Sequence, residues 1–131
     1  MKIPKNIVDK MIIQAQEGIP FEVCGILAGK RESVESIYPM KNRDASAVSF
    51  FMQPEEQLRV FKEIRGNGLE LAGIYHSHPE TRAYPSATDV SLAFYPEAVY
   101  VIISLKNREH PEVRGFRIVE GKISEEAVAV E

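Results

Sequence analysis

Residues 69–78, Leu-Glu-Leu-Ala-Gly-Ile-Tyr-His-Ser-His, constrain this chain most, because a largely apolar run ends in two imidazoles and then meets Pro79. Leu, Ile and Tyr at this density favour a buried strand, and proline, with no N–H to give to a ladder, ends it. Successive side chains of a strand point to opposite faces, so His76 and His78 project from one side at its C-terminal end. A buried strand needs cover, and the flanking segments offer both helices and further strands.

Ile3, Ile7, Val8, Met11, Ile12 and Ala15 recur at helical spacing after Pro4, and Gly18 closes a helix predicted over residues 4–17. Residues 23–28 and 33–38 read as a hairpin around Gly29-Lys30-Arg31-Glu32, with residues 47–52 as a third strand. Pro54-Glu55-Glu56 opens a second helix with carboxylates at its positive end; Leu58, Phe61 and Ile64 give it an apolar side, and Gly66 and Gly68 stop it. Ser86 starts a third helix carrying Leu92 and Phe94. Residues 99–104 follow as a β-branched strand, and residues 113–119 and 122–130 as a hairpin turning at Glu120-Gly121. No repeat, linker or low-complexity tract interrupts this order. Residues 1–131 are expected to form one α/β domain, a central mixed sheet flanked by helices.

A chain of 131 residues can bury a core of its own, and a second domain is not expected. Its formal net charge of -3 gives no general electrostatic reason to bind nucleic acid or an anionic membrane. The single cysteine, Cys24, excludes an internal disulfide framework and makes the reducing cytoplasm the simpler expectation. Asn6, Asp9, Lys10 and Gln14 interrupt the apolar residues near the start, so no export signal is read, and no stretch reaches membrane-span length.

His76, His78 and Asp89 have the composition of an open zinc site, since a catalytic zinc usually keeps three nitrogen or oxygen ligands and a water. Residues 79–85 can reverse the chain, and the first turn of a helix begun at Ser86 carries Asp89 back toward the histidines. The lack of a thiolate fits a hydrolytic ion better than a closed structural one. Plainer readings stand beside this one. Two histidines at a strand end can be hydrogen-bonded rim groups, and Ser86-Ala87-Thr88-Asp89 matches a capping box. Capping and ligation are compatible, because a carboxylate offers about four lone-pair sites. Glu22, taken alone, reads as a surface carboxylate between helix and strand. Cys24 shares its parity and reads as a small buried residue rather than a reactive thiol. His110 reads as exposed, and Tyr75 and Tyr84 as packing or as groove walls.

The pattern His-x-His, seven residues, Ser, two residues, Asp, met by His76, His78, Ser86 and Asp89, resembles the signature of the JAMM (MPN-plus) zinc metallopeptidases. Upstream, Phe21-Glu22-Val23-Cys24-Gly25-Ile26-Leu27-Ala28-Gly29 is similar to the family's segment in which a glutamate precedes a Cys-Gly strand. The order of elements extends the resemblance over nearly the whole chain. It implies the MPN fold, whose layout is broadly similar to that of the cytidine deaminases. It also implies one zinc ion, with a bound water, held by His76, His78 and Asp89. Glu22 would take a proton from that water and pass it to the leaving amine, and Ser86 would donate a hydrogen bond to the oxyanion, with Glu80 and Glu97 as other candidate bases. Family members cut after the C-terminal Gly-Gly of ubiquitin or ubiquitin-like proteins, and short prokaryotic forms are linked to ubiquitin-like sulfur carriers. The implied activity is therefore that of a cytoplasmic peptidase or isopeptidase acting on the tail of a small β-grasp carrier. A non-catalytic MPN scaffold is the alternative, against which the intact ligand set argues. Zinc nucleobase deaminases need a Pro-Cys-x-x-Cys pair that one cysteine cannot make.

Overall fold

The computed structural model describes residues 1–131 and places the histidine-bearing strand, β4 (Glu70–His78), near the middle of an eight-stranded sheet. Its neighbours are β2 (Cys24–Lys30), antiparallel, and β5 (Val99–Ser104), parallel. Outside β2 lie β3 (Ser33–Met40), β1 (Lys2–Ile3) and β8 (Ala129–Val130); outside β5 lie β6 (Glu112–Val119) and β7 (Lys122–Glu126). The sheet is mixed, as expected. Only Ala127 and Val128 separate β7 at one edge from β8 at the other, so the sheet must curl until its two edges approach.

Alternation along the strands sorts the core. Leu27, Tyr75, Val101 and Ile103 face helix α1 (Lys5–Gly18), which buries Ile7, Val8, Met11 and Ala15 against them. On the opposite face Ile26, Ala28, Ile74 and Tyr100 pack with Val60 and Ile64 of helix α2 (Pro54–Gly66). His76 and His78, two and four residues beyond Ile74, therefore lie on the α2 face. Helix α3 (Ala87–Ser91) follows the loop after β4. The hairpin turn is the expected one, with positive φ at both Glu120 (52°) and Gly121 (77°), the pair a tight type I′ connection requires.

Ile3, counted with the helical repeat in the sequence reading, lies in strand β1, and the structure departs from that reading in three further places. Residues 47–52 form no strand, because the Phe51 N–H goes to the Asn42 side chain, and its carbonyl accepts from Arg43. Helix α3 stops at Ser91, leaving Leu92 as its C-cap and Phe94 exposed beyond it. The expected strand over 122–130 breaks after Glu126, and residues 129–130 pair with β1 instead. No helix is long and apolar enough to cross a membrane.

Gly25 shows how closely the sheet is covered. A Cβ there would overlap the phenol ring of fully buried Tyr75, whose hydroxyl donates to Gln14 while Gln14 Nε2 donates to the Cys24 carbonyl at 3.2 Å. Overpacking of this kind costs about 1–3 kcal/mol. Gly25→Ala is expected to lower the stability measured by urea unfolding by roughly that amount, whereas an unchanged midpoint would contradict the packing described.

Candidate metal centre

The register of β2 on β4 assembles the site. Cys24 pairs with His76, and the ladder continues past β2 because Ser77 N–H donates to the Val23 carbonyl (3.0 Å) and Val23 N–H to Ser77 Oγ (2.8 Å). One residue further on, Glu22 lies within electrostatic reach of His78 and Asp89. Glu22 is 4% exposed, so the plain reading of it as a surface carboxylate fails. Sequence distance hid this, since a pairing that closes more than fifty residues leaves no local trace.

Three ligand atoms converge beside it. Asp89 Oδ2 lies 3.1 Å from His76 Nε2 and 3.0 Å from His78 Nε2, and the two nitrogens are 3.1 Å apart. All three side chains are buried. The capping box forms as well: Ser86 Oγ accepts the Asp89 N–H at 3.1 Å, and Asp89 Oδ2 accepts the Ser86 N–H at 2.9 Å. Capping and convergence thus coexist, and the first aims the carboxylate at the histidines. His78 Nδ1 lies 2.9 Å from the Arg82 carbonyl. A carbonyl can only accept, so Nδ1 carries a hydrogen, and when the ring is neutral Nε2 is the nitrogen left with a lone pair for a cation. His-His-Asp clusters of this kind hold metal ions.

Comparison with known proteins places the chain in a family. Residues 4–119 match the family described as prokaryotic homologs of the JAB domain. The chain belongs to that family. The CysO-cysteine peptidase of Mycobacterium tuberculosis is 39% identical over 130 residues, 98% of this chain and 89% of that protein. The desampylase of Haloferax volcanii is 38% identical over 107 residues, 76% of this chain and 77% of its own. The solution structure of a Desulfitobacterium hafniense protein matches with a TM-score of 0.90 at 39% identity, covering 100% of this chain and 93% of that one. The resemblance drawn from the motifs holds for family and fold.

Within this JAB-family chain, the remaining candidates separate cleanly. Glu80 and Glu97 are exposed, the first paired with Arg108 at 3.2 Å, whereas Glu22 is buried. His110 is exposed. Tyr75 faces α1, and Tyr84 packs edge-on against Phe116, so both are packing residues. Cys24 is fully buried, and burial pushes its thiol up to about 12, which keeps it un-ionised. Two contributors escaped the sequence reading. Ser77 fastens Val23 beside the histidines, and Phe50 stacks on the His76 ring at 4.7 Å, holding an imidazole whose Nδ1 has no hydrogen-bond partner. Neither residue type signals such a role in sequence, because both act through a partner brought in by the fold.

The charges are strongly coupled. Burial pulls His76 below its ordinary value. Burial also opposes the charged forms of His78 and Asp89, but their mutual bond, aided by the Arg82 carbonyl and by His76, holds His78 above the ordinary range and Asp89 well below it. Ligands bind metal only when deprotonated. Because His78 holds its proton more tightly than a free imidazole, metal affinity is expected to fall as pH drops from 8 to 6. Competition against a chromophoric chelator measures this; an affinity constant across that range would contradict the ligand assignment.

Proposed function

We propose that this protein is a zinc-dependent peptidase or isopeptidase that hydrolyses the bond after the C-terminal Gly-Gly of a small ubiquitin-like or sulfur-carrier protein in the cytoplasm. The observation that carries the reading is the convergence of His76, His78 and Asp89 on the face where a buried Glu22 Oε1 has no partner of its own. Tetrahedral zinc, with bonds of about 2.0–2.1 Å, spaces its donors roughly 3.3 Å apart. The observed triangle needs to open by only a few tenths of an ångström to fit it. All the donors are nitrogen or oxygen, which suits an open catalytic site. The names of the Mycobacterium tuberculosis and Haloferax volcanii relatives, a CysO-cysteine peptidase and a desampylase, support hydrolysis of carrier conjugates.

Zinc bound by His76, His78 and Asp89 would lower the pKa of a coordinated water and polarise the scissile carbonyl. The chain's own groups do the rest. Glu22 is the proton carrier: burial pushes its carboxyl up to about 8, so it can take and return a proton near neutral pH. Ser86 Oγ uses a lone pair to accept the Asp89 N–H, which leaves its exposed hydroxyl hydrogen free to donate to a developing oxyanion. An apolar groove of about 590 Å³ shares Phe50, Leu92 and Tyr100 with the cleft beside His76 and Asp89, offering a wall for an extended tail.

Mass spectrometry of carrier–peptide fusions incubated with the zinc-loaded protein tests the activity. Cleavage after Gly-Gly is expected, and no cleavage of any Gly-Gly-linked substrate would overturn the reading; a scaffold would in addition hold no stoichiometric metal. Ser86→Ala should lose about 10²–10³ in kcat and about 1 kcal/mol of stability through the lost cap.

Glu22→Gln should retain zinc and lose roughly 10²–10⁴ in kcat. The same variant should be more stable than wild type in the metal-free state. Glu22 has a folded pKa raised from 4.5 to about 8, so between those values the unfolded chain ionises while the folded one retains its proton. Wild-type stability therefore falls across that window, and the advantage of the variant should grow from pH 5 to 8 and level off above, reaching about 1–3 kcal/mol. Urea unfolding in chelator measures it, and an advantage that shrinks with rising pH would refute the assignment.

A further inference from the structure

Asn42 sits at the start of the irregular segment between β3 and α2, and its one amide group makes four hydrogen bonds. Nδ2 donates to the Glu22 carbonyl and to the Ser49 carbonyl, both at 3.0 Å. Oδ1 accepts the Asp44 N–H at 3.0 Å and the Phe51 N–H at 3.1 Å. The backbone of Glu22 is therefore tied through one side chain to residues on either side of Phe50, whose ring stacks on His76. A second tie runs from Glu22 N–H to the Ser46 carbonyl at 2.8 Å. On its other flank, Val23 is held by Ser77. Glu22 precedes β2 and has no ladder partner across from β3, so on this side its place depends on the loop.

We propose that Asn42 is a positioning residue that locks the proton-carrying Glu22 and the His76-stacking Phe50 into one rigid unit. The proposal rests on the peptidase reading above. Asn is required because the position needs two donors and two acceptances from one planar group. Asp can still accept from Asp44 and Phe51, but it has no hydrogens for Glu22 and Ser49 and sets a carboxylate against their carbonyl oxygens. Misplacement of a reacting group by about 1 Å can cost ~10²-fold in rate. The ligands themselves hang on β4 and α3, which Asn42 does not touch, so metal binding should be spared.

The experiment compares Asn42→Asp and Asn42→Ala with a control, Asp44→Ala, which removes the Ser49 Oγ contact within the loop and leaves Glu22 alone. Zinc stoichiometry, kcat and KM on a Gly-Gly-linked fusion, and amide hydrogen exchange of the metal-free proteins are read together. Both Asn42 variants should keep one zinc per chain and a KM within about twofold, and lose roughly 10–100-fold in kcat. The Glu22 amide should exchange faster in both variants, and the Phe51 amide in Asn42→Ala, which alone loses its acceptor, while β4 amides stay protected and the control matches wild type. Wild-type kcat in either Asn42 variant, or a loss explained by lost zinc, overturns the proposal. If wild type itself cleaves no Gly-Gly substrate, the peptidase reading fails separately. Hydrogen exchange then decides alone whether Asn42 holds Glu22, with unchanged Glu22 protection as the overturning result.

Discussion

The pairing of β2 with β4, with Cys24 set against His76, decides which side chains meet on the α2 face of this molecule. A slip of one residue would turn His76 and His78 toward α1 and bring Tyr75 to the cluster. Two features oppose that slip. Gly25 admits the Tyr75 ring where any side chain would collide with it, and Ser77 extends the pairing to Val23 with both its N–H and its hydroxyl. The sequence Cys-Gly on one strand and Tyr-His-Ser-His on the other thus fixes a register as well as supplying functional groups.

The cluster itself works against folding in the absence of metal. Glu22 Oε1 and His76 Nδ1 are buried without partners, and such groups cost about 1–3 kcal/mol each. The two apolar layers around it, with α1 on one face and α2 on the other, tolerate this because they bury cores in which Tyr75 and Met11 on the α1 side and Ile64 on the α2 side are almost wholly inaccessible. A polar pocket embedded in so much apolar cover is what a bound cation would stabilise, by mass action on the folded state. Burial also explains why Cys24, although beside the cluster, stays a packing residue: desolvation disfavours its thiolate and leaves the imidazoles and carboxylate as the available donors.

Much of this was legible in the sequence. Helix α1 followed from apolar spacing and from Pro4 and Gly18, and the hairpin turn from Glu120-Gly121; α2 followed from Pro54 and Gly66, but it buries Val60 and Ile64 and leaves Leu58, read as part of its apolar side, exposed. The triad was visible because His76, His78, Ser86 and Asp89 lie within one strand, one reversal and one capping box, all local features. Glu22 was legible only through the family motif, since its approach to His78 depends on a pairing across most of the fold. The segment over 47–52 misled because its β-prone residues, Val48, Phe50 and Phe51, suggest a ladder. The hydrogen bond of Phe51 goes instead to an asparagine nine residues earlier, and Phe50 packs on an imidazole. The short strands β1 and β8 carry almost no sequence signal, because they exist only where the curled sheet brings its edges together.

X-ray absorption of the protein loaded with one equivalent of zinc tests the central claim, a single ion held by His76, His78 and Asp89, most directly. The account predicts a first shell of nitrogen and oxygen at about 2.0–2.1 Å with the outer scattering of imidazole. A sulfur neighbour near ~2.3 Å, as ligation by Cys24 would give, or a shell without imidazole scattering, would contradict it.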